Sequence, residues 1–285
     1  MVVQGRGAWG VGLALFAAIL TGSALACAER GAGGARAAVD LGAAAPTVIL
    51  VSLDGVSATA LEAGLPGLGR IARDGLRAEA LLPVFPPNTF PSHVSLATGT
   101  HPDRHGIVGN RFFDRERGEY SYSDDASWIE AEPLWVTAER QGVPSAVYFW
   151  VGSQTDWRGV GARDRVAPFD DDVGEDAKVD QLLEWLDRPP EQRPRLLMSW
   201  WHGADGAGHR HGPDSPQVRE QLAGQDRVLA RLLAELDRRN AWPSTTLLVV
   251  SDHGMARVDE IVDPVAPLAE AGIAARAIGG GGSVF

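Results

Sequence analysis

Cysteine occurs once, as Cys27, so the chain can form neither an intramolecular disulfide framework nor a thiolate zinc site. Any metal it binds must rest on carboxylates and imidazoles. Lysine is equally scarce: Lys178 is the only one, and all other side-chain cations are arginine or histidine. Bases are outnumbered, 26 Lys and Arg against 37 Asp and Glu, for a formal net charge of −11. That balance excludes general nucleic-acid binding through a basic face. It leaves a phosphate substrate open, because a bound metal reverses the local sign. No internal repeat is present. Glycine and proline, 34 and 18 of 285 residues, stay below the roughly 25–30% of low-complexity chains, which excludes a mainly disordered or collagen-like protein. At roughly 150 residues per domain, the length allows one large domain or two small ones.

Arg6 is the only charge in the first 28 residues, and Ala8–Ala26 is apolar and small. A positive start, a short apolar stretch and the A-x-A ending Ala24-Leu25-Ala26 match a secretory signal peptide over residues 1–26 and predict export. The rival is an uncleaved anchor, since the run approaches the roughly 17–25 residues needed to span a bilayer. The small residues at its end favour cleavage. Cys27 follows directly, as in a bacterial lipoprotein signal. Two readings therefore stand: a lipid anchor through Cys27, or Cys27 as the first residue of a mature periplasmic or extracellular protein. Residues 27–45 lack periodicity and bulky core residues apart from Leu41, and read as a flexible tether.

Residues 46–285 read as one domain. Pro46–Gly55 is a continuous, β-branched apolar run, the pattern of a buried parallel strand. Ser57–Asp74 reads as a helix ending at Gly75, Gly75–Val84 as an extended segment, and Asn88–Thr98 as a short helix after a Pro-Pro break. Residues 111–135 are polar, aromatic and weakly periodic, an excursion over the surface. Ser145–Gly152, Arg195–Gly203 and Thr245–Gly254 are further buried strands. Asp176–Leu186 and Ser215–Arg239 are amphipathic helices, the second with Val218, Leu222, Leu229, Leu232, Leu233 and Leu236 on one face. Strands alternating with helices predict an α/β fold with a mainly parallel sheet and helices on both faces. Ligands bind such sheets beyond the carboxyl ends of the strands.

Polar residues cluster at those ends: Asp54, then Asp205 and His209, then Asp252 and His253. D-G-A-G-H puts Asp205 and His209 four apart, within reach of one ion. Carboxylates and imidazoles without thiolates suit zinc or a similar divalent metal in a catalytic role. A single strand-terminal Asp is ordinarily a turn former; three such elements together point to a metal site. Thr89, after Pro-Pro-Asn, stands at a helix start, where free N–H groups and the dipole favour an anion. Its plain alternative is an N-cap.

With ILVSLDGV, NTFPSHVSLATGTHPDRHGIVGN, DGAGHRHGP and SDHGM in that order, the chain resembles the nucleotide pyrophosphatase/phosphodiesterase family of the alkaline phosphatase superfamily over Thr47–Ile261. The resemblance implies an alkaline-phosphatase-like fold and two zinc ions. Asp54, Asp252 and His253 would hold one ion, with Thr89 Oγ1 as a further ligand, and Asp205 and His209 the second. Thr89 would be the nucleophile and form a phosphothreonine, which water then hydrolyses. Asn110 and the Phe90 backbone N–H would donate to a phosphoryl oxygen. His93, His101 and His105 lie in the motif segment as structural residues.

One departure stands out. The family takes a third ligand of the second ion from a His well after D-H-G, and no His follows His253 here. The expectation is that the C-terminal part of the domain is missing, with Ile278–Phe285 the start of a strand, and that the second zinc site lacks a ligand. The implied function is an exported, zinc-dependent phosphodiesterase or nucleotide pyrophosphatase. Its substrate would be a small phosphate ester, nucleotide-like because Phe90 and Trp200 could sandwich a base; Trp200 reads equally well as a core residue. A sulfatase is disfavoured, since its nucleophile is a modified Cys or Ser in C/S-x-P-x-R. A phosphonate hydrolase, a phosphoethanolamine transferase and a catalytically impaired metal-binding remnant stay open.

Overall fold

The computed structural model describes residues 45–260, 263 and 265–275. The expected signal peptide, Cys27, the tether up to residue 44 and the expected strand at Ile278–Phe285 lie outside the described residues.

Strand β1 (Thr47–Leu53) leads through a 3-10 turn (Ala58–Ala63) to α1 (Pro66–Asp74), α2 (Thr89–Thr98) and the single turn α3 (Pro102–His105). A hairpin, β2 (Arg111–Asp114) and β3 (Gly118–Ser121), and a second 3-10 turn (Ala126–Trp128) precede α4 (Leu134–Arg140), β4 (Ser145–Tyr148) and β5 (Asp164–Val166). Helix α5 (Glu175–Asp187), β6 (Leu196–Trp201), α6 (Gly203–His211), α7 (Pro216–Arg238), β7 (Thr245–Val250) and α8 (Val265–Glu270) follow.

The main sheet has the order β5-β4-β6-β1-β7 and is parallel throughout. β6 is wholly buried and β1 nearly so, which is why both read as unbroken apolar runs. The chain moves from β1 towards the β5 edge, then back through β6 to β7. With right-handed crossovers, the two directions of travel place their helices on opposite faces. Helices α2 and α4, which touch each other, belong to the first movement, and α5, α6 and α7 to the return. Helix α1 lies in the first connection but packs on α7.

Residues 111–135 form the β2–β3 hairpin and its exit. Phe112 and Tyr120 are buried and stack at 4.6 Å, and Tyr120 meets the edge of Phe90 at 6.3 Å, so this outlying piece is tied to the start of α2.

Two expectations are corrected. Gly75–Val84 pairs with no strand; Leu76 and Leu82 are both 85% exposed. Its apolar residues lack alternation, and Pro83 and the following Pro86-Pro87 remove ladder donors. Ser57–Asp74 is not one helix. Gly64, at φ +72°, ends the 3-10 turn, and Pro66 disfavours a helical Leu65 before opening α1.

The start of α1 has no side-chain cap of its own. Asp226, buried on α7, supplies one across the fold: its carboxylate accepts from the Gly67 N–H at 2.9 Å and the Leu68 N–H at 2.8 Å. A side chain at position 67 would meet the Asp226 carbonyl oxygen at 2.8 Å, so glycine permits the approach. Asp226→Ala removes two charge-assisted bonds and strands two amides. It should lower unfolding free energy by about 3 kcal/mol. A urea-denaturation difference below about 0.5 kcal/mol would show that the α1 cap does not depend on Asp226.

Candidate metal and active site

The carboxyl ends of β6, β1 and β7 bring three carboxylates together. Asp54 follows β1 directly, its N–H still donating to the Trp201 carbonyl at 2.9 Å, and it is 1% exposed. Gly55 then turns with φ +73°, and a Cβ there would lie 2.9 Å from Asp205 Cα. Glycine thus lets the first turn of α6 approach the end of β1, which brings Asp205 beside Asp54. After β7, Ser251 Oγ accepts from the Val56 N–H at 3.1 Å and donates to the His253 carbonyl at 2.7 Å. The Gly55 N–H reaches Asp252 Oδ1 at 3.2 Å. These bonds fix the turn so that Asp252 and His253 both face Asp54.

His253 is the hub. Its Nδ1 lies 3.0 Å from the Gly254 carbonyl, which can only accept, so Nδ1 carries a proton and Nε2 is the nitrogen turned towards the acids. Nε2 lies 3.2 Å from Asp252 Oδ2, 3.4 Å from Asp54 Oδ1 and 3.3 Å from Thr89 Oγ1. Asp54 Oδ1, Asp252 Oδ2 and Asp205 Oδ1 are buried without a hydrogen-bond partner. Carboxylate oxygens buried together without donors repel one another unless a cation lies between them. Ligand atoms of Asp54, Asp205 and His253 fall within 4.8 Å of one another, as do those of Asp54, His93 and Asp252. This donor set fits a hard or borderline divalent ion.

Charge on the three acids responds accordingly. Burial, then the neighbouring Asp252 and Asp205, pushes the Asp54 carboxyl well above its ordinary value. Burial also raises Asp205. Burial works to raise Asp252 too, but the imidazoles of His93 and His253 outweigh it and hold its carboxyl below the usual value.

Thr89 is the first residue of α2, and its Asn88 cap makes no side-chain bond, so the helix start is left for other partners. The Phe90 N–H donates to Asn110 Oδ1 at 2.9 Å. Asn110 is therefore held with its amide oxygen occupied and its NH2 group as the remaining donor. Asp205 and His209 share a face of α6, with Oδ1 and Nε2 3.5 Å apart, and the His209 side chain is 72% exposed. The cavity in front of these groups has a volume of about 800 Å³, and Asp54, Thr89, Asn110, Asp205 and His209 all line it.

Phe90, Tyr122, Phe169 and Trp200 form its aromatic wall. Trp200 is deeply set: its ring stacks on Phe169 at 4.7 Å, tilts against His93 at 5.3 Å, and its Nε1 donates to Asp54 Oδ2 at 2.8 Å. It therefore orients a candidate metal ligand as well as lining the cavity.

Three supporting contacts were beyond sequence reading. Trp200's bond to Asp54 is one. His93 is the second: fully buried, its Nδ1 lies 2.8 Å from the Thr89 carbonyl and 3.3 Å from Asp252 Oδ2, linking α2 to the end of β7. The third is Lys178, also fully buried, whose Nζ donates to the Trp200 carbonyl at 3.0 Å and lies 3.2 Å from His202 Nδ1. Burial pushes its ammonium down to about 8. Its place on the apolar face of α5 with Leu182, one turn on, was the available signal. His202 donates from Nε2 to the Asp171 carbonyl at 3.0 Å and stands in the cavity wall.

Known proteins resemble most of this chain. A family model, type I phosphodiesterase/nucleotide pyrophosphatase, matches residues 48–282. The chain is 38% identical over 219 residues to an uncharacterized pyrophosphatase/phosphodiesterase of Schizosaccharomyces pombe, covering 74% of this chain and 45% of the relative. It is 32% identical over 217 residues to a bis(5'-adenosyl)-triphosphatase of Xenopus laevis, covering 74% of this chain and 48% of the relative. A solved structure of murine ectonucleotide pyrophosphatase/phosphodiesterase 5, an inactive form in complex with AMP, superposes with a TM-score of 0.70 at 28% identity. That match covers 75% of this chain and 59% of the other. The chain thus spans about half the length of these two curated relatives.

Proposed function

The chain belongs to the type I phosphodiesterase/nucleotide pyrophosphatase family, of the alkaline phosphatase superfamily, and from that premise we propose that it is an exported, zinc-dependent phosphodiesterase acting on nucleotide-like esters through Thr89. The observation that carries the reading is the position of Thr89 Oγ1, 3.3 Å from His253 Nε2, at the rim of a buried set of unpartnered carboxylate oxygens. Export rests on the apolar N-terminal segment and on relatives named as ectoenzymes. Among the described residues no helix is long and apolar enough to cross a membrane.

Asp54, Asp252 and His253 would hold one zinc ion together with Thr89 Oγ1, and Asp205 with His209 a second. When bound, the ions supply positive charge that makes a hydroxyl nucleophilic at neutral pH and stabilises a departing oxygen. The protein supplies the rest. The ten-residue helix α2 presents Thr89 Oγ1 at its positive end, which favours the phosphoryl anion. Asn110, held by the Phe90 N–H, offers its NH2 group to a phosphoryl oxygen. Thr89 Oγ1 bonds to phosphorus as the leaving oxygen departs, and water cleaves the phosphothreonine.

For the base, Phe90 meets Tyr122 edge-on at 5.2 Å, and Phe169 stands across the same cavity. Trp200, stacked on Phe169, supports that face from behind. An aryl ester of a nucleotide should therefore exceed a methyl aryl phosphodiester in kcat/KM by at least about tenfold, the low end of one base-stacking contact. Equal values would remove the nucleotide assignment. Failure of the zinc-loaded protein to cleave either ester would remove the diesterase assignment. It would leave the second reading, a metal-binding protein without turnover, which the 72% exposure of the His209 side chain favours.

A further inference from the structure

The one lysine of the chain, Lys178, has no part in the proposed chemistry, yet it is fully buried behind the cavity. Among the described residues no carboxylate pairs with it. Burying an ammonium in this way is costly; here it fixes two groups of the cavity wall. Its Nζ donates to the Trp200 carbonyl at 3.0 Å and lies 3.2 Å from His202 Nδ1. An ammonium can only donate, so Nδ1 accepts. His202 Nε2 lies 3.0 Å from the Asp171 carbonyl, which can only accept, so Nε2 carries the proton. Burial and the neighbouring ammonium both push the His202 imidazole below its ordinary value. The ring is therefore neutral, in one tautomer and one orientation, both set by Lys178.

Asp171 belongs to a strap between β5 and α5, and Phe169, Asp171, Asp172 and Val173 of that strap line the cavity. Among the described residues, two hydrogen bonds tie residues 169–173 to the body of the domain. The Phe169 N–H donates to Gln154 Oε1 at 3.2 Å, and His202 Nε2 donates to the Asp171 carbonyl. The bonds from the Asp172 and Val173 N–H groups end on Asp170, inside the strap. Its aromatic residue, Phe169, stacks on Trp200 at 4.7 Å with the ring planes 23° apart, and meets the His202 ring edge-on at 5.2 Å. One buried cation thus reaches both partners of the stack. It holds Trp200 through its carbonyl, and Phe169 through His202 and the Asp171 carbonyl.

We propose that Lys178 and His202 are positioning residues that hold the Phe169–Trp200 stack as a preformed wall for the base of a nucleotide-like ester. The inference rests on the nucleotide reading of the same cavity. Neither side chain takes part in bond making. A strap with so few ties has to be ordered for the base to bind, and a wall that is already ordered spares the substrate that entropy. The effect therefore falls on KM, and only for substrates that carry a base. For this role His202 must offer a donor to Asp171 and an acceptor to Lys178. A glutamine amide offers both, and leucine offers neither.

Two measurements test this. The first needs no substrate: amide hydrogen exchange at Phe169, whose N–H is the strap's other tie, with α7 as the reference for the rest of the fold. His202→Leu should speed that exchange at least about tenfold, with α7 unchanged, and His202→Gln should stay near wild type. The second is the ratio of kcat/KM for the p-nitrophenyl ester of thymidine monophosphate to that for methyl p-nitrophenyl phosphate, on zinc-loaded protein. His202→Leu should lower the ratio at least about fivefold by raising KM for the nucleotide ester, with kcat within about twofold of wild type. His202→Gln should restore it. Lys178→Met should act in the same direction, and by less in a His202→Leu background than alone. Unchanged exchange at Phe169 in His202→Leu would overturn the clamp. Faster exchange with an unchanged ratio, or a loss confined to kcat, would overturn the positioning role. If the wild type cleaves neither ester, the diesterase reading fails, and the exchange result still decides whether His202 holds the strap.

Discussion

Thr89→Ala is expected to lower kcat for a nucleotide aryl ester by at least about a thousandfold, roughly 4 kcal/mol, while the protein still takes up a divalent ion. Thr89 is the first residue of α2 and lines the cavity. Its Oγ1 is 3.3 Å from His253 Nε2, and among the described residues no other hydroxyl touches that nitrogen. Removing it leaves Asp54, Asp252 and His253 in place, because their positions depend on the ends of β1 and β7 and on bonds from Gly55, Val56 and Gly254. The Phe90 N–H and Asn110 remain paired as well. Substrate affinity should therefore fall far less than kcat, the signature of a group that acts in the chemical step. Thr89→Ser keeps the hydroxyl and should restore much of the rate. A Thr89→Ala protein with more than about a tenth of wild-type kcat would exclude Thr89 as the nucleophile, and water would then have to attack directly.

The parts of the site that could be read in the sequence share one property: each sits at the end of a buried strand. An apolar run such as VILVSL is legible because burial on both faces leaves no polar alternation, and the first polar residue after it marks the carboxyl edge of the sheet. Asp54, Asp205 and Asp252 were found this way, and His253 came with Asp252. The i, i+4 spacing of Asp205 and His209 was seen, but not the helix that produces it. Gly203, Gly206 and Gly208 disguise α6, since glycine is among the poorest helix formers. Those glycines serve close approach. Gly55 and Gly206 leave room for Asp205 and Arg210, and tertiary packing outweighs propensity. The three-residue edge strand β5 and the β2–β3 hairpin carry too few apolar residues to announce themselves.

What stayed hidden is long-range. Trp200 and Asp54 are 146 residues apart, and Asp226 caps a helix start 159 residues away. Neither pairing leaves a local pattern. His93 reads as structural because it lies in the motif segment without being a ligand of the family, and the fold shows its ring between the Thr89 carbonyl and Asp252. The misreading of Gly75–Val84 has the opposite cause: apolar content suggested a strand, but a strand requires a neighbour, and among the described residues that segment has none.

Metal removal should have the second large effect. Asp54 and Asp252 are almost fully buried and Asp205 lies against them, so the chelated protein holds mutually repelling acids in a desolvated space. Zinc binding converts that repulsion into coordination. At a free concentration 100 times the dissociation constant, a ligand that binds only the folded state adds about 2.7 kcal/mol. For a domain of this size that raises Tm by about 5–10 °C. Asp54→Asn separates the two contributions. The amide is isosteric, its oxygen can still accept from Trp200 Nε1, and it removes a buried charge. The chelated variant should thus be at least as stable as the chelated wild type, yet zinc should raise its Tm by less than about 2 °C. The two ion positions should also differ. In the proposed assignment Asp54, Asp252 and His253 give one ion three protein ligands, a normal complement, whereas the second has Asp205 and His209, and most of the His209 side chain faces solvent. Metal analysis after dialysis should find about one tightly held zinc per chain. Two retained ions would mean that another donor completes the Asp205 position. A wild-type Tm indifferent to chelation would mean that the orphaned carboxylate oxygens are satisfied some other way, and the site would lose its claim to be a metal centre.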